Sequence, residues 1–226
     1  MVAKRKIPKK KLKEPDEFIT WGSRAMNYAL VHLKYIGLGF LLVGVIILAL
    51  ILWRQHMTIS EERAFALLGR GITLYHQEEK TKEALQVFTR VIKDHPRTRA
   101  AKMALLYRGR CYMLRRDYDR AIADFERFTK SSSEAFLRAI AFNAMGNSYL
   151  AKGKYQKAID CFQQVLSLEQ GWLKPYVLLQ MGMCWEKLGN ATKASTFYRD
   201  ALKLSLATPW ANLATLRLKR LEVNSK

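Results

Sequence analysis

Residues 146–166 read GNSYLAKGKYQKAIDCFQQVL, and the same order of residue types recurs along the chain. Its second half, QKAIDCFQQVL (156–166), aligns with KEALQVFTRVI (82–92), DRAIADFERFT (119–129) and TKASTFYRDAL (192–202). The aligned alanines, Ala84, Ala121, Ala158 and Ala194, lie 37, 37 and 36 residues apart, and Phe88, Phe125, Phe162 and Tyr198 keep the same spacing. A period of this length marks an array of supersecondary units rather than one globular core.

A second column lies upstream. Gly109 precedes Tyr112, Gly146 precedes Tyr149, and Gly182 precedes Trp185, each by three residues, and each glycine stands 12 residues before its alanine. Gly71 and Tyr75 take these places in the first unit, where Gly71 stands 13 residues before Ala84 and the turn HQEEKTK holds one extra residue. Turn sequences (RRDYD, KGKYQ, LGNAT) separate the two columns. The pattern predicts a helical hairpin: a first helix carrying glycine and an aromatic beside it, and a second helix opening at alanine. Ala158, Ile159, Phe162, Val165 and Leu166 then form an apolar stripe toward the next hairpin. One hairpin cannot bury this face alone, so stacking is obligatory.

These residues resemble the tetratricopeptide repeat, lengthened here beyond the usual period of about 34 residues. The resemblance covers residues 61–207; Pro96 fits the family's helix-ending proline, which the other units lack. It implies an all-α superhelical solenoid of about four hairpins that binds proteins or peptides. Carrying over the family's ligand-facing positions gives Met103, Leu106, Arg110 and Met113 in the second unit. The third gives Ile140, Asn143, Asn147 and Leu150, and the fourth gives Tyr176, Leu179, Met183 and Lys187. Asn143 and Asn147 resemble part of the carboxylate clamp of chaperone-docking members. Tyr176 and Gln180 stand where that clamp needs cations, which argues against a chaperone C-terminus as ligand. After the last unit, Thr208-Pro209 reads as an N-cap and first turn, so residues 208–222 are expected to form a capping helix.

A different signal precedes the array. Residues 35–53 read YIGLGFLLVGVIILALILW, without a charge or proline. At 1.5 Å per residue this helix spans about 28 Å, one hydrocarbon core. Lys34 and Arg54 bracket it, and its aromatic ends suit the headgroup level. Its position 34 residues into the chain, and the absence of a small-x-small site after it, favour an uncleaved signal anchor. Residues 15–34 are expected to form an amphipathic pre-anchor helix, 54–60 a linker, and 1–14 a basic cytoplasmic tail. Basic residues close to the span do not decide the orientation, but short basic segments resist translocation while long domains do not. The reading is therefore a single-pass membrane protein with its N-terminus inside, on the cytoplasmic side, and its repeats outside. The tail lysines either face anionic lipid or remain solvated. The anchor, tail and repeats together are similar to bacterial inner-membrane tetratricopeptide proteins of the YfgM type. That resemblance implies a cell inner membrane location, periplasmic repeats and an ancillary role at the Sec translocon.

The charge of +20 invites nucleic acid as a partner, but its placement argues otherwise. Residues 1–53 carry nine Lys/Arg against three Asp/Glu, and residues 54–226 spread thirty against sixteen. The densest repeat-domain cluster, Arg108, Arg110, Arg115, Arg116 and Arg120, is interleaved with Asp117, Asp119 and Asp124 and reads as paired and solvated. Histidines 32, 56, 76 and 95 form no i,i+4 pair, and no phosphate-binding or nucleophile motif occurs. Cys111, Cys161 and Cys184 lack CxxC spacing and read as small buried hydrophobes, with a redox pair or metal site as the lesser alternative. No cofactor, metal or catalytic residue is assigned. The expected function is a non-catalytic adaptor binding proteins or peptides at the translocon or in envelope assembly. The alternatives are an envelope or division scaffold, or a cytosol-facing organellar import receptor of opposite topology. The sequence does not set an oligomeric state.

Overall fold

The computed structural model describes residues 17–168, 171–204 and 209–224, and these are helical apart from short turns. The order is α1 Glu17–Val31, α2 Leu33–Tyr75, a 3-10 turn Glu78–Lys80, α3 Thr81–Asp94, α4 Arg99–Leu114 and α5 Tyr118–Ser131. Then come α6 Ala135–Ala151, α7 Tyr155–Leu168, α8 Lys174–Lys187, α9 Ala191–Leu204 and α10 Pro209–Asn224. The chain divides into two compact units, Met1–His56 and Met57–Lys226. The expected basic tail, residues 1–14, lies outside the described residues, as do Pro15, Asp16 and Thr208.

In the first unit, α1 ends at Val31, and α2 contains a stretch long and apolar enough to cross a membrane. The helices break at His32, whose ring lies 4.4 Å from that of Tyr28 and 6.2 Å from that of Tyr35. The large side chains from Tyr35 to Trp53 are exposed, which leaves a wholly apolar surface without a protein partner among the described residues. Residues 54–60, expected as a linker, are helical within α2. RQHMTIS contains neither Gly nor Pro, so nothing in it stops the helix.

In the second unit, the C-terminal part of α2 pairs with α3, and α4/α5, α6/α7 and α8/α9 form the following hairpins. Two contacts hold α2 against the turn that ends α3 and the start of α4. Ser60 Oγ and His95 Nδ1 are 2.9 Å apart, and the Arg99 N–H donates to both carboxylate oxygens of Glu61 at 2.9 and 3.1 Å. Glu61 thereby satisfies an orphan donor at the start of α4. Thr98 adds a local cap, accepting from the Ala101 N–H at 3.0 Å.

The repeat glycines have a single cause. A β-carbon on Gly71 would stand 2.5 Å from Phe88 Cε1, one on Gly109 2.6 Å from Phe125, and one on Gly182 2.5 Å from Tyr198. The ring filling the glycine seat therefore comes from the second helix. The aromatics that follow the glycines on the first helices do not fill these seats. Those aromatics take a cation instead. Arg120 lies 5.8 Å from the Tyr112 ring centroid, Lys157 5.8 Å from Tyr149, and Lys193 4.1 Å from Trp185. Ala84, Ala121, Ala158 and Ala194 are fully buried.

The turns inside the last three hairpins share one geometry. Asp117 N–H donates to Tyr112 O, Lys154 N–H to Tyr149 O, and Asn190 N–H to Trp185 O, each at 2.9 Å. The residue before each donor has positive φ: Arg116 at 59°, Gly153 at 70° and Gly189 at 78°. This is the left-handed helix stop that glycine accommodates without a β-carbon clash. Finally, α10 packs on α9 and α8 through Ala214, Leu218 and Leu221. Arg217 of α10 and Tyr198 of α9 both bond to Glu186 of α8, with Tyr198 Oη donating at 2.6 Å and Arg217 at 3.3 Å.

Candidate peptide-binding groove

α4 and α6 place Arg110, Met113, Ile140, Asn143 and Asn147 around one groove of about 260 Å³. Tyr75, Leu114, Ala144, Trp172 and Leu173 complete its lining. The helix period explains the alignment: Arg110, Met113 and Leu114 are spaced one turn apart on α4, as are Ile140, Asn143, Ala144 and Asn147 on α6. The floor is apolar and the polar groups are few, the composition expected of a side-chain-accepting site.

The polar groups differ in commitment. Asn147 Oδ1 accepts from Tyr176 Oη and from Gln180 Nε2, both at 3.3 Å, and Gln180 Nε2 also donates to Tyr176 Oη at 2.6 Å. The Tyr176 ring packs edge-on against Trp210, with centroids 4.9 Å apart. Asn147 is thus held by α8, and Tyr176 belongs to this internal network. Asn143 Oδ1 is buried without a hydrogen-bond partner. The Arg110 guanidinium lies 5.9 Å from the Tyr107 ring centroid.

Other ligand-facing assignments fall elsewhere. Leu106 is only 3% exposed and packs in a core with Ala141 and Met145, because α6 covers that part of α4. Leu179 is buried against Ala194 and Tyr198. Met103, Leu150 and Met183 are partly buried against the hydrophobic cores, and Lys187 is exposed at the end of α8. Sequence periodicity missed Trp172 and Leu173 because they lie between hairpins, outside the repeated columns. The remaining signal was a tryptophan beside Gly171 in a linker; it is 68% exposed. Tyr75 was read only as a repeat aromatic.

Within the arginine cluster, Arg115, Arg116 and Arg120 are exposed, as their interleaved acids suggest, and Arg120 pairs with Asp117, whereas Arg108 is largely buried. Arg108 Nε and Nη2 donate to Asp124 at 2.7 Å each, and Nη1 donates to Thr89 at 3.3 Å. Burial works against this guanidinium's charge, but the Asp124 hydrogen bonds and charge outweigh it and raise the Arg108 pKa. Asp119 bonds Lys152 across hairpins, which holds its carboxyl below the ordinary value. All three cysteines are buried and unpaired; burial raises Cys111 to about 11 and Cys161 and Cys184 to about 12. Such thiols are poor nucleophiles and poor metal ligands at neutral pH.

The family description Tetratricopeptide repeat matches residues 71–135, 139–171 and 176–204. The chain is 30% identical over 103 residues to the Photosystem I assembly protein Ycf3 of Prochlorococcus marinus, covering 45% of this chain and 58% of that protein. Its fold is similar to that of PilW, a widely conserved type IV pilus biogenesis factor, with TM-score 0.60, 18% identity and 67% of each chain covered. It is also similar to a tetratricopeptide repeat protein from Parabacteroides merdae, with TM-score 0.62, 13% identity, and 72% of this chain and 61% of that one covered. The chain thus spans less than two thirds of the length of two of these three relatives. The matched residues and the hairpin geometry agree, and the chain belongs to the tetratricopeptide repeat family.

Proposed function

We propose that this protein is a non-catalytic, membrane-anchored adaptor that holds a protein or peptide partner in the groove between α4 and α6. The observation that carries the proposal is the convergence of Arg110, Met113, Ile140, Asn143 and Asn147 on that groove. Met113, Ile140 and Leu114 offer adaptable apolar contact, and Arg110 offers a cation for an acidic group. Rotation of the Asn143 amide would satisfy its unpaired oxygen with a ligand N–H. In this proposal, α2 anchors the chain in a cell inner membrane and the repeats act in the periplasm. The basic tail faces cytoplasmic lipid, and the partners are Sec translocon or envelope-assembly components. The relative named as a Photosystem I assembly protein supports an assembly role.

The test is co-purification from detergent-solubilised membranes, identified by mass spectrometry, for the full chain and for Arg110→Glu and Asn143→Ala. The expected result is a set of secretion or envelope-assembly proteins depleted by both substitutions. Unchanged capture would remove the groove from the proposal and favour a spacing scaffold. A reporter fused to the C-terminus tests topology, and cytoplasmic activity would overturn the periplasmic reading.

A further inference from the structure

α10 stands to α9 and α8 as α6 stands to α5 and α4, packing on both. It therefore occupies the place of the first helix of another hairpin. In the complete hairpins a second helix covers the first. Among the described residues no helix covers the outer side of α10, where Leu216 is 66% and Val223 72% exposed. A helix that only closed the array would present a polar outer face. Here Leu213, Leu216 and Val223 line a groove of about 510 Å³ whose other described lining residues are Arg217, Lys219 and Arg220, with no carboxylate among those described. Arg217 is turned inward to Glu186, and Lys219 and Arg220 are exposed.

We propose that this groove docks an amphipathic helix of another protein, one that carries acidic residues beside its apolar stripe. Leu213, Leu216, Arg220 and Val223 follow one another at helical spacing and match one face of such a helix. Asp or Glu flanking the partner's stripe would meet Lys219 and Arg220. Charge complementarity favours this occupant over a second copy. A symmetric contact through the same face would set Lys219 and Arg220 against their own equivalents. The surface is not a vacant hairpin seat either. α10 contains no glycine, so the ring-on-glycine contact that closes the other hairpins cannot form on it. The occupant lies against leucine and valine side chains, at an ordinary helix-packing distance of about 8–10 Å. This site is separate from the groove between α4 and α6 and does not depend on a ligand there.

The experiment uses the full chain in phosphatidylcholine nanodiscs. Its probe is a fluorescein-labelled helical peptide with a leucine stripe flanked by glutamates, compared with the same peptide carrying lysines. The glutamate peptide is expected to bind at least about tenfold more tightly than the lysine peptide. Leu216→Glu and Arg220→Glu should each weaken it by about tenfold or more, while Lys93→Glu on exposed α3 surface leaves it unchanged. Both substituted positions on α10 are exposed, and thermal unfolding confirms that the variants fold. The proposal is overturned by absent binding, by equal binding of the lysine peptide, or by insensitivity to Leu216→Glu. Loss with Arg110→Glu alone would move the peptide to the inner groove. Capture of phosphatidylglycerol vesicles in place of the peptide, lost with Leu216→Glu, would make the surface a lipid contact. A dimer dissolved by Leu216→Glu would make it a self-association face.

Discussion

Phe162 Cε1 lies 2.6 Å from the point where a β-carbon on Gly146 would stand. The ring and the glycine come from the two helices of one hairpin, and both are buried. Adding one methyl at Gly146 must move either the ring or a helix. Gly146→Ala is expected to destabilise the repeats by about 1–3 kcal/mol, the usual cost of overpacking a core. Gly69 of α2 has open space around its missing β-carbon and is exposed. Gly69→Ala is therefore expected to stabilise the same protein by about 0.5–1 kcal/mol through helix propensity. Urea unfolding of the full chain in detergent, followed by circular dichroism, checks the opposite signs. Stabilisation by Gly146→Ala would refute the close-packed seat.

Arg116 holds φ at 59° where the two equivalent turns place Gly153 and Gly189. The left-handed conformation costs an L-residue about 1–2 kcal/mol. Glycine's larger unfolded-state freedom returns part of that, about 0.4–1 kcal/mol. Arg116→Gly is expected to stabilise the protein by about 0.5–1 kcal/mol, and Gly153→Ala to destabilise it by about 1 kcal/mol. Thermal melts of the two variants against the parent test the pair. A drop in Tm for Arg116→Gly would mean that the arginine side chain contributes more than its backbone costs.

The hairpins were legible because their determinants are local and periodic. Gly109, Ala121 and Phe125 must recur in order, since each pair of helices closes by the same contact. Identifying the ring on the glycine as Phe125 rather than Tyr112 required the three-dimensional structure, because both spacings fit a helical hairpin. The groove was partly legible. Arg110, Met113, Asn143 and Asn147 follow from the ligand-facing positions that the tetratricopeptide resemblance implies, but Leu106 comes from the same positions and is buried by α6. Trp172 enters from a linker whose course no periodicity specifies. The continuation of α2 through residues 54–60 follows from the absence of a helix breaker, a sign present in the sequence but outweighed by the expected change of domain.

Arg108 and Asp124 form a two-toothed ion pair with side chains only 12% and 5% exposed. Asp124→Ala would leave a guanidinium buried between α3, α4 and α5 without its counter-charge. The expected cost is about 3–5 kcal/mol, as for other broken buried pairs. Replacing both partners by apolar residues, Arg108→Met with Asp124→Leu, is expected to recover most of that loss. The exposed pair of Lys203 and Asp200 gives a control, with Asp200→Ala costing less than about 1 kcal/mol. Denaturant midpoints for the single and double variants check the non-additivity. A double variant as unstable as Asp124→Ala would show that the pair specifies packing beyond its charge.

Burial raises Cys111 from 9.0 to about 11 and Cys161 and Cys184 from 9.0 to about 12. A raised folded value favours the folded state wherever the thiol stays protonated. The contribution is complete below pH 9 and is lost as pH rises from there toward 11–12. Tyr198 is shifted in the same direction, by burial first and by its bond to Glu186 second, and its contribution falls away only above 10. Stability measured by urea unfolding is therefore expected to decline as pH rises from 9 to 11. In the triple variant Cys111→Ala, Cys161→Ala and Cys184→Ala, the decline between 9 and 10 should shrink while the later loss remains. Thiol labelling gives an independent reading. At pH 8 the rise from 9.0 to about 11 lowers the thiolate fraction of Cys111 about a hundredfold, and those of Cys161 and Cys184 fall further, so modification should be slow until urea unfolds the repeats. Rapid modification of all three thiols in the folded chain, with an unchanged alkaline decline in the triple variant, would place the cysteines outside the buried core.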